Sequence, residues 1–111
     1  MNIVLLIGRI TNNIEIKEVG DGYSKANITL AVRREFKNSN GEFDTDFVPI
    51  TLWEGAATTC KEFCTKGQLI SIRCRIQTQK IDLEDGKFYN QVEIIGEKLC
   101  LLGTSKTQKE S

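Results

Sequence analysis

A mostly β domain with a single helix is the fold class that this 111-residue chain predicts, and three observations predict it. Apolar and polar residues alternate at period two over several separate stretches. Only one stretch carries apolar residues at helical spacing. Turn-forming Gly, Asn and Asp residues stand between these segments.

The first strand is the apolar run Asn2 to Ile10, rich in β-branched residues and closing on Gly8-Arg9. Ile14 and Ile16 alternate with Glu15 and Lys17, which predicts that the strand resumes after Asn12-Asn13. Gly20-Asp21-Gly22 is a turn. From Lys25 to Arg33, Ala26, Ile28, Leu30 and Val32 face one way, and Lys25, Asn27, Thr29 and Arg33 the other. Lys37 to Asp44 is a polar hairpin loop. In Asp46 to Trp53, Val48, Ile50 and Leu52 form an aliphatic face opposite Phe47, Pro49, Thr51 and Trp53. Pro49 cannot donate to a ladder, so it marks an edge or a bulge.

Glu54 to Thr65 is the helix. Ala56, Ala57, Cys60, Phe63 and Cys64 supply its apolar side, and Gly67 its C-cap. Leu69 to Lys80 returns to period two, with Ile70, Ile72, Cys74 and Ile76 inward. Glu84-Asp85-Gly86-Lys87 then turns the chain into a last strand, Phe88 to Leu102. Three strands, a helix and two strands is the order of a five-stranded Greek-key OB barrel. Residues 1–103 make that domain, and 104–111 are a short polar tail expected to be disordered.

Composition narrows the function. Hydrophobic residues are 40% and charged residues 27%, ordinary values for one globular domain. No apolar run approaches the roughly 20 residues of a membrane span. The N-terminus lacks the features of a signal peptide, so a cytoplasmic location is expected. Cys60, Cys64, Cys74 and Cys100 lie in apolar contexts, and with no histidine a zinc site would have to be all-cysteine. Buried free thiols, with no metal and no cofactor, are the expectation. The missing histidine, together with the lack of a phosphate loop or nucleophile elbow, argues against an enzyme.

Aromatic and basic residues on one surface argue for binding single-stranded nucleic acid, which needs a cationic groove and rings on which bases stack. Phe47 and Trp53 lie on the non-core side of their strand, and Arg33, Arg73 and Arg75 on the non-core sides of theirs. Phe36, Lys37, Lys80, Lys87 and Phe88 lie at the two hairpins. Packing of the two rings against the helix or a second subunit is the competing reading. The net charge is zero, and Glu42, Asp44, Asp46, Asp82, Glu84 and Asp85 crowd the same hairpins, so the groove is expected to be only moderately positive.

Five segments in order resemble the bacterial single-stranded DNA-binding (SSB) family: Met1 to Thr11, Ala26 to Arg34, Asp46 to Ile50 followed by Trp53, Lys66 to Ile70, and Arg75 to Thr78. The likeness runs to about residue 102. It implies non-sequence-specific binding of single-stranded DNA by a homotetramer, with a homodimer as the smaller alternative. Phe36, Phe47 and Trp53 match the family's stacking positions, and Lys66 and Arg75 match basic positions near the DNA path. The full expected site is Phe36, Phe47, Trp53 and Phe88 for stacking, with Arg9, Arg33, Arg34, Lys66, Arg73, Arg75, Lys80 and Lys87 for phosphates. Ile81 stands where the family often has an aromatic residue. The family's long linker and acidic tail do not follow Leu102, so tail-mediated recruitment of replication enzymes is not expected, and an accessory phage, plasmid or competence member fits. A primosomal or RNA-binding OB protein, or an OB domain that binds only proteins, are the alternatives.

Overall fold

The structure, a computed structural model, describes residues 1–103. The tail 104–111 lies outside the described residues, as does the expectation about recruitment that rests on it. The elements are β1 (Val4–Ile10), β2 (Lys17–Val19), β3 (Tyr23–Lys37), β4 (Phe43–Trp53), α1 (Glu54–Phe63), β5 (Leu69–Asp82), a 3-10 turn at Glu84–Gly86, and β6 (Phe88–Leu101). Neighbouring strands run in the order β1-β5-β6-β4-β3-β2. β1 also pairs with β3 at Arg9↔Ala31 and Ile10↔Leu30, which closes five strands into a barrel and leaves β2 as a flap on β3. With its helix between β4 and β5, this is the OB fold.

Local chemistry explains the closure. β1 ends at Ile10, yet the seam against β3 continues through side-chain atoms. Thr11 N–H donates to the Thr29 carbonyl at 2.9 Å. Asn12 Oδ1 then accepts from Thr29 N–H at 2.8 Å, and Asn12 Nδ2 donates to the Asn27 carbonyl at 3.0 Å. Both backbone groups of Thr29 therefore point away from β4. Its partner across the β3–β4 ladder is Pro49, so no ladder donor is needed there. β4 meets β6 only at Thr51↔Ile95 and Leu52↔Gly96, so Pro49 lies on an open edge, as its missing N–H requires.

Inward residues of β3 (Ala26, Ile28, Leu30), β4 (Ile50, Leu52) and β5 (Ile70, Ile72, Cys74) fill the barrel with Ile10 and Ile14. α1 places Ala57 and Cys60 against this core, with Cys64 at its exit. Gly96 has no room for a side chain. A Cβ there would meet Leu52 Cδ2 at 2.5 Å and Ile72 Cδ1 at 2.8 Å.

Several expectations need correction. The chain does not re-enter a strand at Ile14, which is a buried core residue in a connection, but only at Lys17. The helix stops at Phe63 rather than Thr65. Cys64 is already extended and donates its N–H to the Cys60 carbonyl, while Gly67 (φ 94°) serves the following Thr65–Gln68 turn and not the cap. Phe63, about 100° around the helix from Cys64, is 59% exposed. Ile76 is 40% exposed, because β5 and β6 run on past the barrel as a two-stranded arm. Cys100 is an exposed thiol: it pairs with outward-facing Ser71 after a bulge between Arg73 and Cys74. Cys60, Cys64 and Cys74 are buried and free.

Candidate nucleic-acid interface

Register places the outward side chains in rows across the barrel wall. Lys17, Lys25 and Trp53 stand side by side on β2, β3 and β4. In the next row Asn27, Thr51 and Arg75, on β3, β4 and β5, stand around Ile95 of β6, which is itself buried. Further along, Phe47, Ala31 and Arg9 form a row across β4, β3 and β1, and Arg33 opposite Thr45 follows. Trp53 and Phe47 are six residues apart on one strand, about 20 Å at the usual rise. Neither ring enters the core. Phe47 is 65% exposed and Trp53 half-buried.

Cations already sit against several rings. Lys25 Nζ lies 5.3 Å from the centre of the Trp53 ring, the Arg33 guanidinium 4.5 Å from that of Phe43, and Lys80 Nζ 4.6 Å from that of Phe88. At exposed sites such contacts contribute about 0.5–1 kcal/mol, whereas a stacked base contributes about 1–3 kcal/mol. A base can therefore displace the cation from the ring and leave it beside the flanking phosphate.

The expected site residues fall into three groups. Phe47 and Trp53 share the outer wall with Arg33, Arg75 and Arg9, whose Nη1 donates to the Gly67 carbonyl at 3.0 Å. Lys66 lies exposed in the turn just before Gly67. Phe36 lies apart from the two rings. A bulge between Arg33 and Lys37 turns it toward a groove of about 910 Å³ that Leu5, Ile7, Arg9, Arg33 and Arg34 also line. Lys80, Lys87 and Phe88 belong to the arm. Register puts Lys80 and Phe88 on the arm face opposite to that of Arg75.

Acids temper the charge unevenly. Arg34 donates to both oxygens of Asp46, at 2.8 and 3.0 Å, with Asp44 nearby. The hydrogen bonds with Arg34 hold the Asp46 carboxyl below its ordinary range, and the Asp46 hydrogen bond raises Arg34. Arg73 and Arg75 share Glu97, at 3.8 and 3.1 Å, and Lys80 lies 4.0 Å from Asp82. Among the described residues, Arg33, Lys17, Lys25, Lys66 and Lys87 form no ion pair.

Sequence reading missed Phe43, Lys17, Lys25 and Tyr23 as members of this surface. Phe43, which the sequence puts in the polar hairpin loop, begins β4 in phase with Phe47. The signal for Lys25 was its shared parity with Arg33. No group of metal-ligating side chains gathers among the described residues, and no helix there is long and apolar enough to cross a membrane.

A closed OB barrel whose outer wall carries separated, cation-flanked rings defines a class: modules that lay a flexible chain across their surface. The chain belongs to the Single-strand binding protein family, which it matches over residues 1–102. It is 37% identical over 107 residues to Single-stranded DNA-binding protein 1 of Clostridium acetobutylicum, covering 96% of this chain and 97% of that one. It is 33% identical over 108 residues to Single-stranded DNA-binding protein B of Bacillus subtilis, covering 97% and 96%. Single-stranded DNA-binding protein 1 of Lactococcus lactis is 34% identical over 108 residues, 97% of this chain and 72% of that protein.

Proposed function

We propose that this protein binds single-stranded DNA without regard to sequence and shields it during replication, recombination or repair in the cytoplasm, catalysing nothing itself. The observation that carries the reading is the pair of rows Lys17–Lys25–Trp53 and Phe47–Ala31–Arg9, each joining an outward ring, half-buried at Trp53 and exposed at Phe47, to a cation on one wall. Bases stack on Trp53 and Phe47, and on Phe36 and Phe88 at the periphery. Arg9, Arg33, Lys66, Arg73, Arg75, Lys80 and Lys87 neutralise phosphates, while Arg34, held by Asp46, contributes least. Stacking on π-faces is tolerant of base identity, so affinity follows the backbone more than the sequence.

The working form is a homotetramer, with a homodimer as the smaller unit. Ile3, Leu5 and Ile7 of the β1 segment are 52%, 73% and 59% exposed and lie in one outward row, an apolar strip that suits a partner surface. Competition between labelled oligo-dT and unlabelled DNA or RNA tests the function. Displacement by poly-dT but not by duplex is expected. Preference for RNA, or no binding, favours the alternative OB roles.

A further inference from the structure

We propose that Tyr23, with Lys17 and Lys25 beside it, is a further docking station for single-stranded DNA beyond Trp53; this deepens the function proposed above and rests on it. Tyr23 opens β3 at the same parity as Lys25, and so stands on the outer wall one step past the Lys17–Lys25–Trp53 row. Its ring is 58% exposed. Beneath it lies the Gly20 turn, where a Cβ would come within 3.9 Å of Tyr23 Cδ2. Lys17 and Lys25 have no ion-pair partner among the described residues, and Glu18, paired with Ser24, points to the other face.

The station is held in place. Ser24 N–H donates to the Glu54 side-chain Oε1 at 2.8 Å, which ties the start of β3 to the start of α1 next to the Lys25↔Trp53 pair. Tyr23 and Trp53 are thus diagonal neighbours, about 7–8 Å apart at the backbone. That is a little over twice the roughly 3.4 Å spacing of stacked bases along a strand. Bases on the two rings belong to an extended strand, with the phosphate between them over Lys25 and the one beyond Tyr23 over Lys17 on β2.

The test measures anisotropy of labelled oligo-dT with the full chain at several salt concentrations. Tyr23→Leu is expected to weaken binding about five-fold or more, the effect of one lost stack, while Tyr23→Phe stays near wild type. Lys17→Gln with Lys25→Gln is expected to flatten the salt dependence by about 1.4 in slope, roughly 0.7 for each phosphate no longer neutralised. Wild-type affinity in Tyr23→Leu overturns the stacking role, and an unchanged slope in the lysine pair overturns the phosphate role, provided Trp53→Ala still binds more weakly. If Tyr23→Leu also melts lower, the lysine pair decides. Failure of the wild-type protein to bind oligo-dT at all removes the functional reading and this inference with it.

Discussion

At the scale of single residues, packing and burial give direct tests. Gly96 is enclosed by Leu52, Ile72 and Ile50, side chains that are themselves fixed in the core. Gly96→Ala is therefore expected to lower unfolding free energy by about 1–3 kcal/mol, the usual cost of overpacking, as read from the urea midpoint. The thiols divide sharply. Burial pushes Cys60 up to about 12, with help from Cys64, and Cys74 up to about 11, with help from Glu97. Burial raises Cys64 as well. These groups stay protonated thiols near pH 8, so alkylation of the folded protein is expected to modify Cys100 alone, and all four cysteines once it is unfolded. Keeping the thiols neutral stabilises the fold below the ordinary value of 9.0. That contribution is lost as pH rises from there towards 11–12. Mass spectrometry after a short pulse of iodoacetamide checks the count, and two or more early adducts would contradict the buried assignment.

At the scale of elements, the barrel depends on a side chain where a strand runs out. Asn12→Ala removes the acceptor of Thr29 N–H and leaves that half-buried donor unpaired, which is expected to cost about 1–3 kcal/mol. Asn12→Asp keeps Oδ1 but loses the Nδ2 donor to the Asn27 carbonyl, so it is expected to cost less than Asn12→Ala. Thermal melts of the two variants decide, and equal stability of both with wild type would sink the seam argument. Such details explain what could and could not be read from the sequence. β3, β4 and β5 were legible because one face is buried, so period two survives in Ala26-Ile28-Leu30, Ile50-Leu52 and Ile70-Ile72-Cys74. The helix exit was misread because Gly67 resembles a cap but follows an extended Cys64. Ile76 looked like core because parity says which face a side chain takes, not where the barrel beneath it ends. In the candidate site, Phe47 and Trp53 were legible by parity within one strand. The company of Trp53 with Lys17, and of Phe47 with Arg9, depends on pairing between distant segments that no local pattern encodes.

At the scale of the whole molecule, a net charge of zero must coexist with affinity for a polyanion. The structure reconciles them by location. Asp46 engages Arg34 and Glu97 engages Arg73 and Arg75, while Lys17, Lys25 and Arg33 keep their charge on the wall that carries Trp53, Phe47 and Phe43. Binding is therefore expected to weaken with salt, but shallowly. Each phosphate neutralised on a single strand contributes about −0.7 to the slope of log K against log salt, and the basic residues held by Asp46 and Glu97 make the slope shallower than a count of basic residues alone would give. A flat titration would contradict the basic wall. Sedimentation at micromolar concentration is expected to show a tetramer, or a dimer at least. A Leu5→Glu change in the exposed β1 row should shift it to smaller species with the barrel still folded.

Trp53 offers the most direct test of the central claim, because it is the one tryptophan in the chain and stands beside Lys25, in the row next to the one that ends at Arg75. Titrating oligo-dT into the protein while following fluorescence excited selectively in tryptophan, away from the absorption of Tyr23 and Tyr89, reports on that ring alone. Stacking predicts strong, saturable quenching, with Trp53→Ala binding about ten-fold or more weakly and melting within a few degrees of wild type. A ring that serves only to pack predicts the opposite: little quenching, unaltered affinity for DNA, and a loss of about 3–5 kcal/mol in the stability of Trp53→Ala.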